Sequence, residues 1–183
     1  LVGVLDADLS LYVQNYHAAE RTYSLLAQVV GRAGRGERAG RAVIQTYHPE
    51  NEVIQAAAKQ DYEAFYQSEL RLRRLRRYPP FADLFTLTVS GSEELRVIAA
   101  ARTLCDALRC ESEREPLRAL ETEVLGPAGA PVVKVNDRYR YCVYLCGRSD
   151  SALRRTVSEY LLAFYARKEN RGLDIFADCN ALQ

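Results

Sequence analysis

Methionine is absent from all 183 residues, and histidine occurs only at His17 and His48. With so little histidine, no Ser-His-Asp or Cys-His set is available for nucleophilic catalysis. The chain also lacks a G-x-x-x-x-G-K-[S/T] loop to cradle phosphates and an acidic pair of the kind that holds magnesium. No apolar run approaches the length that crosses a bilayer, which argues against a membrane partner. Lysine is scarce too: only three of the 25 basic residues are lysine. A coding bias accounts for that as readily as a demand for guanidinium groups. A chain without Met that starts inside the apolar run Leu1–Leu5 leads us to expect an excised C-terminal piece.

The five cysteines, 105, 110, 142, 146 and 179, contain no C-x-x-C pair. Cys142 and Cys146 have a metal-like spacing, but their context reads as a strand. Four strand residues span about 13 Å, too far for one tetrahedral ion or a disulfide. An odd number of such thiols suggests a reducing, cytoplasmic compartment with free cysteines.

What is present describes a globular protein: 48% hydrophobic and 27% charged residues, with a net charge of +1. Contact with nucleic acid would therefore have to come from local clustering of charge. Leu1–Leu5 reads as a fully buried strand of a parallel sheet. From Ala18, the positions Ala19, Tyr23, Leu26, Val29 and Val30 recur at helical spacing, and Gly31 and Gly34 should end that helix. A turn at 38–41 leads to a second strand, Ala42–Tyr47. Pro49 suits the first turn of a short helix running to about Ala58. Asp61 should cap the next helix, with Tyr62, Phe65, Tyr66, Leu70 and Leu75 inward. Its far end carries Arg71, Arg73, Arg74, Arg76 and Arg77, and Pro79-Pro80 should stop it.

Beyond the prolines the pattern becomes β-α-β-β-α-β. Leu84–Val89 alternates as a strand, and a helix follows Ser90-Gly91-Ser92-Glu93 with Leu95, Ile98, Cys105 and Leu108 on one stripe. Glu121–Leu125 and Val132–Cys146 supply middle strands, the second broken near Asn136-Asp137. Ser149 or Asp150 caps a helix with Leu153, Val157, Leu161 and Phe164 inward, and Leu173–Cys179 closes the set. This is a small α+β sandwich with two helices covering one sheet face.

The segment Gln28-Val29-Val30-Gly31-Arg32-Ala33-Gly34-Arg35 is the most informative in the chain. Glycine permits close backbone approach, and arginine supplies planar forks that match phosphate oxygens. Taken alone, it reads better as a helix end capped by Gly31 or Gly34 with solvated arginines. The flanking sequence favours phosphate. The string resembles motif VI, Q-x-x-G-R-x-G-R, of superfamily-2 helicases, and more closely that of the PriA family of replication-restart helicases. Tyr16-His17-Ala18-Ala19-Glu20-Arg21 precedes it, and Leu1–Asp8 resembles motif V. Ile44–Pro49, Asp61-Tyr62-x-x-Phe65, Tyr78–Phe81, Leu125–Ala128 and Arg138–Tyr141 then follow in the family's order. Two positions depart from it: His17 stands where arginine is usual, and Phe176-Ala177-Asp178-Cys179 replaces a closing Asp-x-Asp-Pro.

The resemblance implies the remainder of a RecA-like helicase lobe 2 over 1–60, an arginine-rich connecting helix over 61–78 and an α+β DNA- or partner-binding domain over 79–183. Arg32 and Arg35 would be arginine fingers for ATP bound to another lobe. Gln28 would orient the attacking water or γ-phosphate, and Gly31 would line the same site. ATP and magnesium would belong to the parent helicase and zinc to a segment outside this chain, with none bound here. Lys134, Arg138 and Arg140 become candidates for forked or single-stranded DNA. Arg148, Arg154 and Arg155 become candidates for an acidic tail of the single-stranded-DNA-binding protein or for primosome proteins. Asp6 and Asp8 remain open between a motif V role and a turn or cap. The arginines at 71–77 remain open between DNA phosphates and a solvated or packing face. The rival functions are a non-enzymatic nucleic-acid-binding module and a different superfamily-2 helicase.

Overall fold

The computed structural model describes residues 1–13, 15–33 and 40–180. The chain divides into two compact units, the first ending at Arg76 and the second beginning at Arg77.

The first unit is a right-sized βαβ step followed by two helices. Strand β1 (Val2–Val4) pairs in parallel with β2 (Ala42–Ile44) in the register Val2↔Ala42, Gly3↔Val43, Val4↔Ile44, and helix α1 (Ala18–Ala33) lies between them in sequence. Tyr23 and Leu26 of α1 pack with Ala7, with Ile54 and Ala57 of α2 (Glu52–Lys59) and with Phe65 of α3 (Tyr62–Arg76). Tyr23 and Phe65 stack with ring centroids 4.3 Å apart.

Three expectations are corrected here. The strand at Leu1–Leu5 is not fully buried: Leu1 is 91% and Leu5 82% exposed, because among the described residues β2 is the only strand paired with it. Helix α1 does not stop at Gly31 but continues to Ala33. Gly31 instead gives room to a neighbour, since a Cβ there would lie 3.0 Å from Gln60 Nε2. Pro49 precedes α2 rather than opening it. Asn51 is the cap, its Oδ1 accepting from Val53 N at 2.9 Å, and a side-chain acceptor satisfies an end donor that proline cannot.

In α3, Asp61 Oδ1 does accept from Ala64 N at 2.9 Å. Yet Leu75 and Tyr62 point outward, and Arg73 is buried in their place.

The second unit contains a four-stranded antiparallel sheet in the order β4-β5-β3-β6, built from β3 (Asp83–Gly91), β4 (Glu123–Val135), β5 (Arg138–Gly147) and β6 (Asp174–Cys179). Helix α4 (Glu94–Ser112) separates β3 from β4, and α5 (Ser151–Ala166) separates β5 from β6. Alternation on β3 sends Phe85, Leu87 and Val89 to the helix side, where they meet Val97, Ala101, Leu104, Cys105 and Leu108 of α4 and Leu153, Val157 and Phe164 of α5. The α4 stripe is therefore Val97-Ala101-Leu104-Leu108, spaced i, i+4, i+7, i+11. Leu95 falls off it and is 82% exposed.

The middle strands differ from the sequence reading. Glu123–Val135 forms one strand through Gly126-Pro127, with register shifts between Leu125 and Ala128 and between Gly129 and Lys134. Gly126 adopts φ +111°, and Pro127 has no N–H for the ladder. Asn136 and Asp137, with φ of 49° and 57°, form the two-residue turn into β5. Positive φ at both positions matches the twist of the flanking strands. No helix among the described residues is long and apolar enough to cross a membrane.

Candidate functional site

Gln28 and Arg32 lie on the C-terminal half of α1, four residues apart and both exposed. That spacing puts them on one face of the helix. The opposite face is fastened by Tyr23 and Leu26, so the two polar side chains project from a backed helix rather than a loop. Arg35 and Gly34 lie outside the described residues, as do Arg38 and Ala39 of the expected turn.

Asp8 has a definite place. Its Oδ2 accepts from Tyr47 N at 2.8 Å and its Oδ1 from Thr46 Oγ1 at 2.9 Å, tying the loop after β1 to the end of β2. Burial pushes this carboxyl up, but the Tyr47 N–H and Thr46 hydroxyl outweigh it and hold it below the ordinary value. Asp6 takes a left-handed φ of 55° in the same turn. The pair is not brought together on one ligand, and Asp8 acts as a clamp. His17 Nδ1 lies 2.5 Å from Glu20 Oε2 at the start of α1.

The arginines of α3 do not form one surface. Arg73 is turned inward between Glu69 (2.7 Å) and Glu20 (3.0 Å), whereas Arg71 Nε donates to Gln67 O at 3.3 Å. In the second unit, Arg77 Nη2 donates to Glu121 O.

On β5, Arg138 and Arg140 share the sheet face away from the helices. Arg138 donates to Asp174 and to Ser90 O (3.1 Å), and Arg140 donates to Val132 O through Nη2 (2.9 Å) and Nε (3.2 Å). Lys134 does not join them. It pairs in register with Tyr139, which faces the helices, and its Nζ lies 5.1 Å from that ring's centroid and 3.2 Å from Asp137 Oδ1. The Asp137 contact raises the lysine's pKa. The second register shift on β4 separates Lys134 from the two arginines, an event that residue spacing does not announce. Tyr141 is on the helix side, its hydroxyl donating to Glu94 Oε1 at 2.8 Å.

Two of the three candidate partner-binding arginines are engaged within the second unit. Arg148 Nη2 donates to Ala119 O, and Arg154 Nη2 donates to Asp83 Oδ2 at 3.0 Å, while Arg155 is exposed on α5. Cys142 Sγ lies 3.5 Å from Thr88 Oγ1, and Cys146 Sγ donates to Arg77 O at 3.2 Å. Asp178 is exposed on β6. Among the described residues no three His, Cys, Asp or Glu side chains gather in a way that could hold a metal ion.

Sequence reasoning missed the buried role of Arg73 and the Asp83–Arg154–Asn180 cluster at the foot of β3. The i, i+4 pair Glu69 and Arg73 was a legible hint for the first. The second joins residues too distant in sequence to signal each other.

The family profile described as the primosomal protein N C-terminal domain matches residues 74–180. The chain belongs to the PriA family. That match coincides closely with the compact unit beginning at Arg77. Among similar proteins are those named replication restart protein PriA from three bacteria. The Bacillus subtilis protein is 36% identical over 180 residues, covering 98% of this chain and 22% of that protein. The Synechocystis protein is 40% identical over 144 residues (77% and 16%), and the Rickettsia conorii protein 33% over 161 residues (88% and 24%). The chain thus spans less than a quarter of the length of the PriA relatives it matches. The similarity to the B. subtilis protein runs nearly end to end and includes α1 as well as the second unit.

Proposed function

We propose that this chain works as the closing part of a longer ATP-dependent 3′–5′ DNA helicase in replication restart, and that by itself it is a non-catalytic, nucleic-acid-binding piece. The observation that carries this reading is the exposed Gln28/Arg32 face of α1, set in a parallel βαβ step in a member of the PriA family. Arginine forks on a rigid helix can stabilise charge developing at a γ-phosphate, an effect worth roughly 10³- to 10⁵-fold in rate in other nucleotide hydrolases. Gln28, Arg32 and the neighbouring Arg35 would face ATP held by another lobe, and Gly31 would leave the helix surface low beside them. Magnesium would be held by residues outside this chain, as would structural zinc.

The exposed apolar side chains around β1 and β2 support a larger sheet. Two parallel strands with Leu5 and Val43 open to water are poorly stable alone, because parallel sheets are normally covered on both faces. The first unit would then be the remainder of a RecA-like lobe 2, with α3 as its link to a terminal domain that binds forked or single-stranded DNA, the single-stranded-DNA-binding protein or primosome proteins. Its Arg140 and exposed Arg155 are the cations best placed for such contacts.

Replacing Arg32 or Arg35 by Ala in the full-length helicase should abolish DNA-stimulated ATPase while fork binding stays within about twofold, because these side chains serve the transition state rather than the DNA. Normal turnover in both variants would remove the nucleotide role. It would leave the second reading, a binding module without a part in catalysis, which the absence of a phosphate loop from this sequence favours for the isolated chain.

A further inference from the structure

Arg73 is the one arginine of α3 whose guanidinium is turned into the protein, with a side chain 8% exposed. A buried cation is costly unless it is paired and hydrogen-bonded. Here it meets two carboxylates on different helices. Nε donates to Glu69 Oε1 on its own helix at 2.7 Å, and Nη2 donates to Glu20 Oε1 in the first turn of α1 at 3.0 Å. The same nitrogen also reaches Tyr16 O at 3.2 Å, and the guanidinium carbon lies 5.5 Å from the centre of the Tyr16 ring. Glu69 orients the fork, and Glu20 receives it.

The two helices also meet through apolar contacts, among them Tyr23 stacked on Phe65. Such contacts resist separation but define sliding and rotation less sharply than a charge-assisted hydrogen bond. Arg73 thereby ties the first turn of α1 to α3. Twelve residues further along the same helix, about 18 Å of rigid rise, stands Arg32. In the other direction α3 ends at Arg76, and the chain enters the second unit at Arg77.

We propose that Arg73 is a positioning residue: through Glu20 it holds the helix bearing Gln28 and Arg32 in register with α3, and so fixes where those two side chains stand. This rests on the nucleotide role of Arg32 and adds to it the residue that keeps its helix in place. Arg73 touches neither nucleotide nor DNA.

The test uses the full-length helicase as wild type, Arg73→Met, Glu20→Gln, the double variant and Arg32→Ala. ATPase kcat and KM are measured with saturating forked DNA, alongside fork Kd. Arg73→Met and Glu20→Gln should each lower kcat about ten- to a hundredfold, the penalty expected for misplacing a catalytic group from a distance. KM for ATP and fork Kd should stay within about twofold, and the double variant should be no slower than the slower single, since both break one link. Arg73→Lys should recover part of the loss by keeping a charge toward Glu20. If Arg73→Met does not fold, Glu20→Gln decides alone, as it keeps a polar side chain on a half-exposed helix turn. Unchanged kcat in Glu20→Gln, losses that multiply in the double variant, or a KM that rises in step with the fall in kcat would each overturn the proposal. A dead Arg32→Ala with normal Arg73→Met and Glu20→Gln sinks the latch alone, whereas a normal Arg32→Ala sinks the nucleotide reading and the latch with it.

Discussion

Asp83, at the start of β3, accepts a hydrogen bond from Arg154 of α5 across 3.0 Å, and the same carboxylate accepts from Asn180 Nδ2 at 2.9 Å. Asn180 Oδ1 in turn accepts from Leu84 N at 2.8 Å. The start of β3, helix α5 and the end of β6 are thereby tied at one corner, with Asp83 71 residues from Arg154 and 97 from Asn180. Arg154 is partly committed to this corner, which weakens its standing as a receptor for an acidic tail.

Burial pushes the Asp83 carboxyl up, but hydrogen bonds from Ser149, Asn180 and Arg154 outweigh it, leaving it below its ordinary value. A carboxyl depressed in the folded state contributes stability that is fully present above its unfolded pKa and lost as pH falls through the folded one. Melting of this chain, followed by circular dichroism, should therefore weaken on acidification below about pH 4. Asp83→Asn should cost about 1–2 kcal/mol at neutral pH and flatten that acid dependence. An acid limb as steep as in wild type would show that other carboxylates control it.

The corrected α4 stripe makes a paired prediction. Leu108 is fully buried, and truncation to Ala should destabilise the second unit by about 2–5 kcal/mol. Leu95→Ala should change stability by about 0.5 kcal/mol or less. Denaturant unfolding of the two variants checks it, and equal effects would restore the stripe read from sequence.

Gly31→Ala separates packing from chemistry. The added methyl would press on the Gln60 amide at 3.0 Å, the mobile end of an exposed side chain, while a helical Gly→Ala change gains about 0.5–1 kcal/mol. Thermal melting should be unchanged or slightly raised. If ATPase in the full-length helicase nevertheless falls, the glycine is needed at the nucleotide and not by the helix.

If the open sheet face grips DNA, Arg140→Ala should reduce the slope of log affinity against log salt by about one. Lys134→Ala, on the other side of the sheet, should leave it unchanged. Arg138→Ala is expected to lower melting as well, because Asp174 and the Ser90 carbonyl lose their shared donor. Fluorescence anisotropy at several salt concentrations reads all three.

Strand periodicity on β3 and β5, the Asp61 and Asp150 caps and the stop before Pro79 were all legible in the sequence, because each depends on neighbours within a few residues. So was the motif string at Gln28–Arg35, which needs only residue identity and order. What no local pattern could decide was which polar groups meet across the fold. The parallel pairing of β1 with β2 brings Thr46 and Tyr47 to Asp8, turning a candidate ligand into a clamp. Two register shifts on β4 place Lys134 opposite Tyr139 and away from Arg140, and helix packing turns Arg73 toward Glu20 while its neighbours face water. Side-chain direction in these cases follows from strand register and interhelical contact, which are set by burial of the whole apolar surface and not by the residues beside each charge.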